Sequence, residues 1–291
     1  MRLDRLVTLG LSRSPFFGDD AASPRLPILM YHRISDAAER GVVPYYRLST
    51  SPARFAEHMR WLADAGWQGV GVTEALTGGP HRWAGRTFAL TFDDGFADFG
   101  EMAAPILRKH GFRATVYLPT AYIGRKRLLF ESVECLTWNE VRTLHRSGIE
   151  FASHTVNHPR KLHELPWIDL RQELRLSKEK IESELGTSIA GFSFPYAFPQ
   201  ANANFRAAFS ALLREIDYRH CVTTAIGRVK LIPDRLALER LPVNNDDDRD
   251  LLLAKMAGAY DWLGVPQSVI KTARYFFRRS LRAPAHSLPA A

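Results

Sequence analysis

Residues 86–100 read RTFALTFDDGFADFG: an apolar run, two adjacent aspartates, then a glycine. The run from Arg86 to Phe92 is short, aromatic and β-branched, which predicts a buried strand. The aspartates at its end admit two readings. They can cap a helix in the following FADFGEMAAPILRKHG. Alternatively, they stand at the C-terminal end of a strand in a parallel sheet, where the active sites of such folds gather.

Seven more runs of the same kind flank this one: LPILMYHRI (26–34), QGVGV (68–72), ATVYLP (114–119), IEFASH (149–154), GFSFPY (191–196), HCVTT (220–224) and LALERLPV (236–243). Helical patterns separate most of them and carry good stop and start signals. Ser51 is placed to cap a helix with Pro52 in its first position and Gly66 at its end. Thr137 and Glu140 have the spacing of a capping box, with Gly148 as the stop. Leu170, Leu174, Ile181 and Leu185 recur at helical spacing. Alternating strands and helices predict an α/β fold built on a parallel sheet: a single irregular barrel of seven or eight strands, with a doubly wound open sheet as the competing architecture. The predicted division is an N-terminal extension (1–25), a catalytic domain (26–245) and a C-terminal amphipathic helical tail (246–291).

With 291 residues and no internal repeat, the chain can bury a large core, and its composition is neither fibrous nor disordered. Lys and Arg outnumber Asp and Glu by 39 to 31, a net charge of +8 that suits anionic surfaces or acidic saccharides. The charge is dispersed and no nucleic-acid-binding motif accompanies it, so no nucleic-acid partner is expected. Two cysteines, Cys135 and Cys221, imply no disulfide framework. The apolar stretch LVTLGL near the start is too short for a signal sequence, so a cytoplasmic protein is expected, peripheral to the inner face of the membrane. In the tail, Lys271, Arg274, Arg278, Arg279 and Arg282 with Phe276 and Phe277 fit contact with an anionic membrane surface, or a terminal helix packed on the barrel.

Polar residues at the predicted strand ends are few: Tyr31 and His32, Asp93 and Asp94, His154, and Pro195 with Tyr196. His158 follows His154 by four, a spacing that brings two imidazoles together if the intervening residues make a helical turn. Two histidines and one carboxylate would leave open positions on a divalent ion, and a spare carboxylate beside them could act as general base.

TFDDG (91–95) followed by HTVNH (154–158) resembles the first two motifs of the NodB-type polysaccharide deacetylases, carbohydrate esterase family 4, over residues 26–245. The resemblance implies a barrel-like fold, Asp93 as catalytic base, and Asp94, His154 and His158 as ligands of a divalent metal, zinc first and cobalt or nickel as alternatives. FSFPYA resembles the third motif, which implies that the backbone N–H of Tyr196, after Pro195, helps bind the oxyanion. Ser193 stands where that motif has an arginine that orients the base; Arg240 is the candidate substitute. No histidine lies between His220 and His286 to supply the usual C-terminal general acid. MYHRIS instead resembles the permuted order of poly-N-acetylglucosamine deacetylases, which makes His32 the acid. The implied activity is removal of N-acetyl groups from amino sugars in exopolysaccharide or cell-envelope glycan. O-acetyl esters, peptidoglycan, or non-hydrolytic saccharide binding are the alternatives. Tyr45, Tyr46 and Trp167 are candidates for stacking on sugar rings.

Overall fold

The computed structural model describes residues 2–13, 24–84, 86–230 and 234–269. All eight predicted runs are strands of one parallel sheet: β1 Ile28–Tyr31, β2 Gln68–Val70, β3 Thr87–Phe92, β4 Thr115–Leu118, β5 Glu150–Ser153, β6 Gly191–Ser193, β7 His220–Ile226 and β8 Leu238–Pro242. The order is β1, β8, β7, β6, β5, β4, β3, β2, and β1 also pairs with β3. Ile28–Tyr31 lie in register with Ala89–Phe92, so seven strands close into a barrel. β2 is the extra strand, paired with Thr87–Ala89 at the start of β3, while β4 takes Thr91 and Phe92 at its end. Closure excludes the open doubly wound sheet.

Period-two alternation along each strand divides the buried residues into two layers. Phe88, Leu90 and Phe92 of β3, Val116 and Leu118 of β4 and Phe151 of β5 belong to the large core between barrel and helices. Ala89, Tyr117 and Ala152, the residues between them, belong to a second cluster with Ile28, Val222 and Leu238. This inner layer contains several small residues. That leaves room along the axis for two large side chains, Tyr117 and Arg240, both essentially inaccessible to solvent.

The helices are α1 Leu3–Ser12, α2 Pro52–Asp64, α3 Val72–Ala84, α4 Ala104–Lys109, α5 Trp138–Arg146, α6 Trp167–Leu185, α7 Ala203–Glu215 and α8 Arg249–Met256. Their ends follow the sequence signals. The Ser51 hydroxyl accepts the Arg54 N–H at the start of α2, and Thr137 and Glu140 make both bonds of the capping box on α5. Of the predicted tail, α8 packs Leu251, Leu252 and Met256 into the core. It buries Lys255 against Asp247 at 3.0 Å. Residues 264–269 are helical, and the basic stretch beyond them lies outside the described residues. Cys135 and Cys221 are buried and unpaired. Among the described residues no helix is long and apolar enough to cross a membrane.

Candidate metal centre and catalytic site

Asp93 and Asp94 directly follow β3 and part in opposite directions. The Asp94 backbone adopts φ +71°, left-handed for a residue with a side chain, and Gly95 continues at +60°. Such a conformation costs on the order of 1 kcal/mol in a non-glycine residue and persists only when the surroundings hold it. Here the Asp93 N–H donates to the Tyr31 carbonyl at 3.1 Å, and the Gly95 carbonyl accepts the Leu136 N–H at 2.9 Å. Neither aspartate caps a helix; the next helical segment has Asp98 at its N-cap, without a side-chain capping bond.

Asp94 meets the two histidines. Its Oδ1 lies 3.5 Å from His154 Nε2 and 3.3 Å from His158 Nε2. The two Nε2 atoms are 3.1 Å apart. All three side chains are buried, and one ligand atom from each falls within 4.8 Å of the others. The histidines do not converge through the helical turn their spacing suggested. Thr155 (φ +70°) and His158 (φ +52°) are left-handed, and the Thr155 hydroxyl accepts the His158 N–H at 2.9 Å. A hydroxyl-stabilised turn thus replaces the helical one. His154 Nδ1 is 2.8 Å from the Ser193 carbonyl. A carbonyl only accepts, so Nδ1 carries the proton and Nε2 is left facing Asp94. The His158 ring is held between Phe130 and Tyr196, with centroids 4.9 and 4.7 Å away.

The donor set fits a divalent cation. Two nitrogen lone pairs 3.1 Å apart repel unless a proton or a cation lies between them, and an anionic oxygen completes the set. Electrostatics without an ion point the same way. Burial disfavours a charged His154, but its bond to Asp94 and the charges of both aspartates outweigh this and raise its pKa. Burial, followed by the His154 charge, pushes His158 down to about 3. Burial would raise Asp94; the three neighbouring histidines, His154 foremost, keep it below its usual value.

Asp93 faces Arg240 instead. The Arg240 guanidinium donates to both carboxylate oxygens, Nη1 to Oδ1 at 2.8 Å and Nη2 to Oδ2 at 2.7 Å. Arg240 comes from β8, two strands from β6, where its counterpart was expected at position 193. Ser193 is small enough to admit it, and its hydroxyl lies 3.4 Å from each Asp93 oxygen. Arg240 also donates to the Thr223 carbonyl at 2.9 Å and to the Thr91 hydroxyl at 3.2 Å. Burial opposes ionisation of Asp93, but Arg240, by charge and by hydrogen bonding, holds it well below the carboxylate range. His32 Nε2 stands 4.0 Å from Asp93 Oδ2 with its side chain partly exposed.

Tyr196 sits at the rim, again left-handed (φ +53°). Its carbonyl accepts the Thr224 hydroxyl at 2.9 Å, and its own hydroxyl donates to Glu131 at 3.2 Å. Of the residues suggested for sugar stacking, Tyr46 is exposed, Tyr45 packs on the core, and Trp167 stacks on Phe205. Sequence reading passed over Thr91 and Thr223, which orient Arg240. Thr91 was findable, since it lies two residues before Asp93 on the same inward face. Thr223 acts through its backbone carbonyl, which leaves no mark in the sequence.

Gly95 is fixed for two reasons: its φ, and a Cβ there would lie 2.7 Å from Leu118 Cδ2. Gly95→Ala is expected to destabilise the protein by about 1–3 kcal/mol in a thermal melt. Ala at Gly186, which is also left-handed but surrounded by open space, should cost less.

At its C-terminal mouth the closed parallel barrel carries an Asp-His-His cluster that could hold a metal ion, beside a clamped second aspartate. Comparison with known proteins shows what the chain resembles. Residues 82–214 match the polysaccharide deacetylase family. The chain is similar to the Bacillus subtilis polysaccharide deacetylase homologue YxkH, 27% identical over 222 residues that cover 76% of this chain and 72% of that protein. A poly-β-1,6-N-acetyl-D-glucosamine N-deacetylase of Staphylococcus aureus is 23% identical over 58% of this chain and 63% of its own length. The structure of the Streptococcus pyogenes deacetylase PplD in complex with acetate superposes with a TM-score of 0.68 at 25% identity, covering 80% of this chain and 99% of that one. Over residues 82–214 the chain is thus similar to the polysaccharide deacetylases, hydrolases of N-acetyl groups on polysaccharides, and the poly-N-acetylglucosamine deacetylases are among the proteins it resembles.

Proposed function

We propose that the protein is a metal-dependent N-deacetylase acting on N-acetylglucosamine-type units of a polymeric or oligomeric glycan, in exopolysaccharide or cell-envelope synthesis. The observation that carries this reading is the convergence of Asp94, His154 and His158 beside an Asp93 clamped by Arg240. A divalent ion held by those three residues, zinc before cobalt or nickel, would supply Lewis-acid activation of water and of the acetyl carbonyl.

The chain's own groups divide the proton work. Asp93, kept ionised by Arg240, accepts the proton of the attacking water on a carboxylate oxygen. Because both of its oxygens already accept from Arg240, its orientation is fixed before substrate arrives, which lowers the entropic cost of the step. His32, at the exposed edge of the pair, delivers a proton from its ring to the departing amine. The Tyr196 backbone N–H donates to the developing oxyanion, a contribution of roughly 3 kcal/mol by analogy with single oxyanion donors. The relative from S. aureus makes poly-β-1,6-N-acetylglucosamine the first glycan to try.

The test is acetate release from N-acetylglucosamine oligomers, set against O-acetyl esters and peptidoglycan fragments, with and without chelator. Asp93→Asn should retain metal by elemental analysis and lose turnover by at least about 100-fold. His32→Ala should behave in the same way. A fully active Asp93→Asn protein overturns the base assignment, and preferential turnover of esters overturns the substrate class.

A further inference from the structure

α1 is oriented against the usual pattern of a surface helix, with polar side chains facing the protein. Asp4 accepts from Arg2 at 2.6 Å and from the Tyr260 hydroxyl at 2.9 Å. Arg2 reaches Asp247 at 3.1 Å and Arg5 reaches Asp248 at 2.7 Å. Thr8, fully buried, accepts the Trp262 indole N–H at 3.1 Å. The outward face carries Leu3 (73% exposed), Leu6 (44%) and Val7 (36%), with exposed Gly10 one turn on, at the spacing of one helical stripe. A stripe of this kind normally faces a core; exposed, it marks an interaction surface.

A second exposed apolar pair follows Trp262 in the chain. Trp262, bonded to α1, leads into residues 264–269, where Val265 and Val269 are 68% and 61% exposed and again four apart. Gln267 of the same stretch accepts the Ile226 N–H at 3.1 Å and donates to the Thr224 carbonyl at 3.0 Å. Thr224 in turn bonds the Tyr196 carbonyl. Residues 264–269 are thus tied to α1 through Trp262 and to the rim of the site through Gln267 and Thr224.

Charge identifies what covers it. The sequence after residue 269 adds Lys271, Arg274, Arg278, Arg279 and Arg282, and no Asp or Glu occurs between Asp261 and the last residue. A second copy carries the same +8 charge and the same basic stretch, which oppose self-association. Exposed apolar side chains followed in the sequence by an excess of cations match an anionic lipid headgroup surface. We infer that α1 and residues 264–269 together form a docking face for an anionic bilayer surface, with Leu3, Leu6, Val7, Val265 and Val269 as the inserting side chains.

The inference needs neither metal nor turnover, so its test is independent of the catalytic reading. The full-length protein is co-sedimented with vesicles of phosphatidylglycerol and phosphatidylcholine, and with phosphatidylcholine alone. Binding to the anionic vesicles only is expected. A Leu3→Gln, Leu6→Gln, Val7→Gln variant should weaken that binding at least about tenfold. Its melting temperature and acetate release from soluble oligomers should be unchanged. A Leu6→Trp variant should show a blue-shifted emission on adding anionic vesicles. Wild-type protein that ignores anionic vesicles, or a triple variant that binds as well as wild type, overturns the proposal. A dimer in sedimentation velocity that the triple variant dissolves, without vesicle binding, overturns it in favour of self-association.

Discussion

Asp94→Ala, His154→Ala and His158→Ala are each expected to abolish binding of a divalent metal and to lower kcat by at least about 10³-fold, equivalent to roughly 4 kcal/mol of transition-state stabilisation. The three donors lie within 4.8 Å of one another and all are buried, so no surface group can swing in to replace a lost one. Two imidazoles alone bind a divalent ion weakly, and without the carboxylate the ion's charge is less well neutralised in a buried site. His154→Ala also strands the Ser193 carbonyl that its Nδ1 now satisfies. The three variants should therefore lose metal and activity together. Elemental analysis beside acetate release checks this, and EDTA treatment of the wild type should mimic it, with recovery on adding zinc. A metal-free Asp94→Ala protein that still releases acetate at the wild-type rate would dismantle the site as described.

Arg240→Met is expected to damage stability as well as turnover. Asp93 and Arg240 have side-chain exposures of 5% and 0% and touch through a two-pronged contact. Removing one member of a buried ion pair leaves the other charge uncompensated, at a cost of about 3–5 kcal/mol. For a chain of this size that corresponds to a fall in melting temperature of roughly 6–20 °C. Without Arg240, burial, already the largest influence on Asp93, loses its main opponent and drives the pKa upward, so less of the carboxylate is ionised at neutral pH. Arg240→Lys should recover part of the stability but less of the activity, because an ammonium cannot grip both oxygens at once. The double variant Asp93→Asn, Arg240→Met removes both charges. It should melt above Arg240→Met while remaining inactive, a non-additivity that only a direct interaction produces. An Arg240→Met protein with unchanged melting temperature would show that the clamp contributes nothing to the folded state.

Much of this protein could be read from the order of its residues. The eight strands follow from short β-branched and aromatic runs, and their alternation with helices implies a parallel sheet because only crossover connections join parallel strands. Helix ends are equally local: Ser51 and the Thr137–Glu140 pair signal the caps they make. TFDDG and HTVNH named the cluster of Asp94, His154 and His158, since chemistry of this kind requires particular residue types at strand ends. Other features depended on distance through space. Closure of the barrel rests on β1 meeting β3, a pairing between segments some sixty residues apart that neither segment encodes alone. The turn joining His154 to His158 takes its shape from Thr155 in a left-handed conformation, whereas four-residue spacing alone suggested a helical one. Arg240 was a weak candidate in the sequence because nothing near it marks its partner. Only the closed ring brings β8 opposite the end of β3, and small residues at Ser193 and Thr91 leave the axis free for a guanidinium to reach Asp93. The outward apolar stripe of α1 has the same origin. Its amphipathic spacing is a sequence property, but which face meets the protein is set by Asp247, Asp248, Tyr260 and Trp262, all more than two hundred residues away.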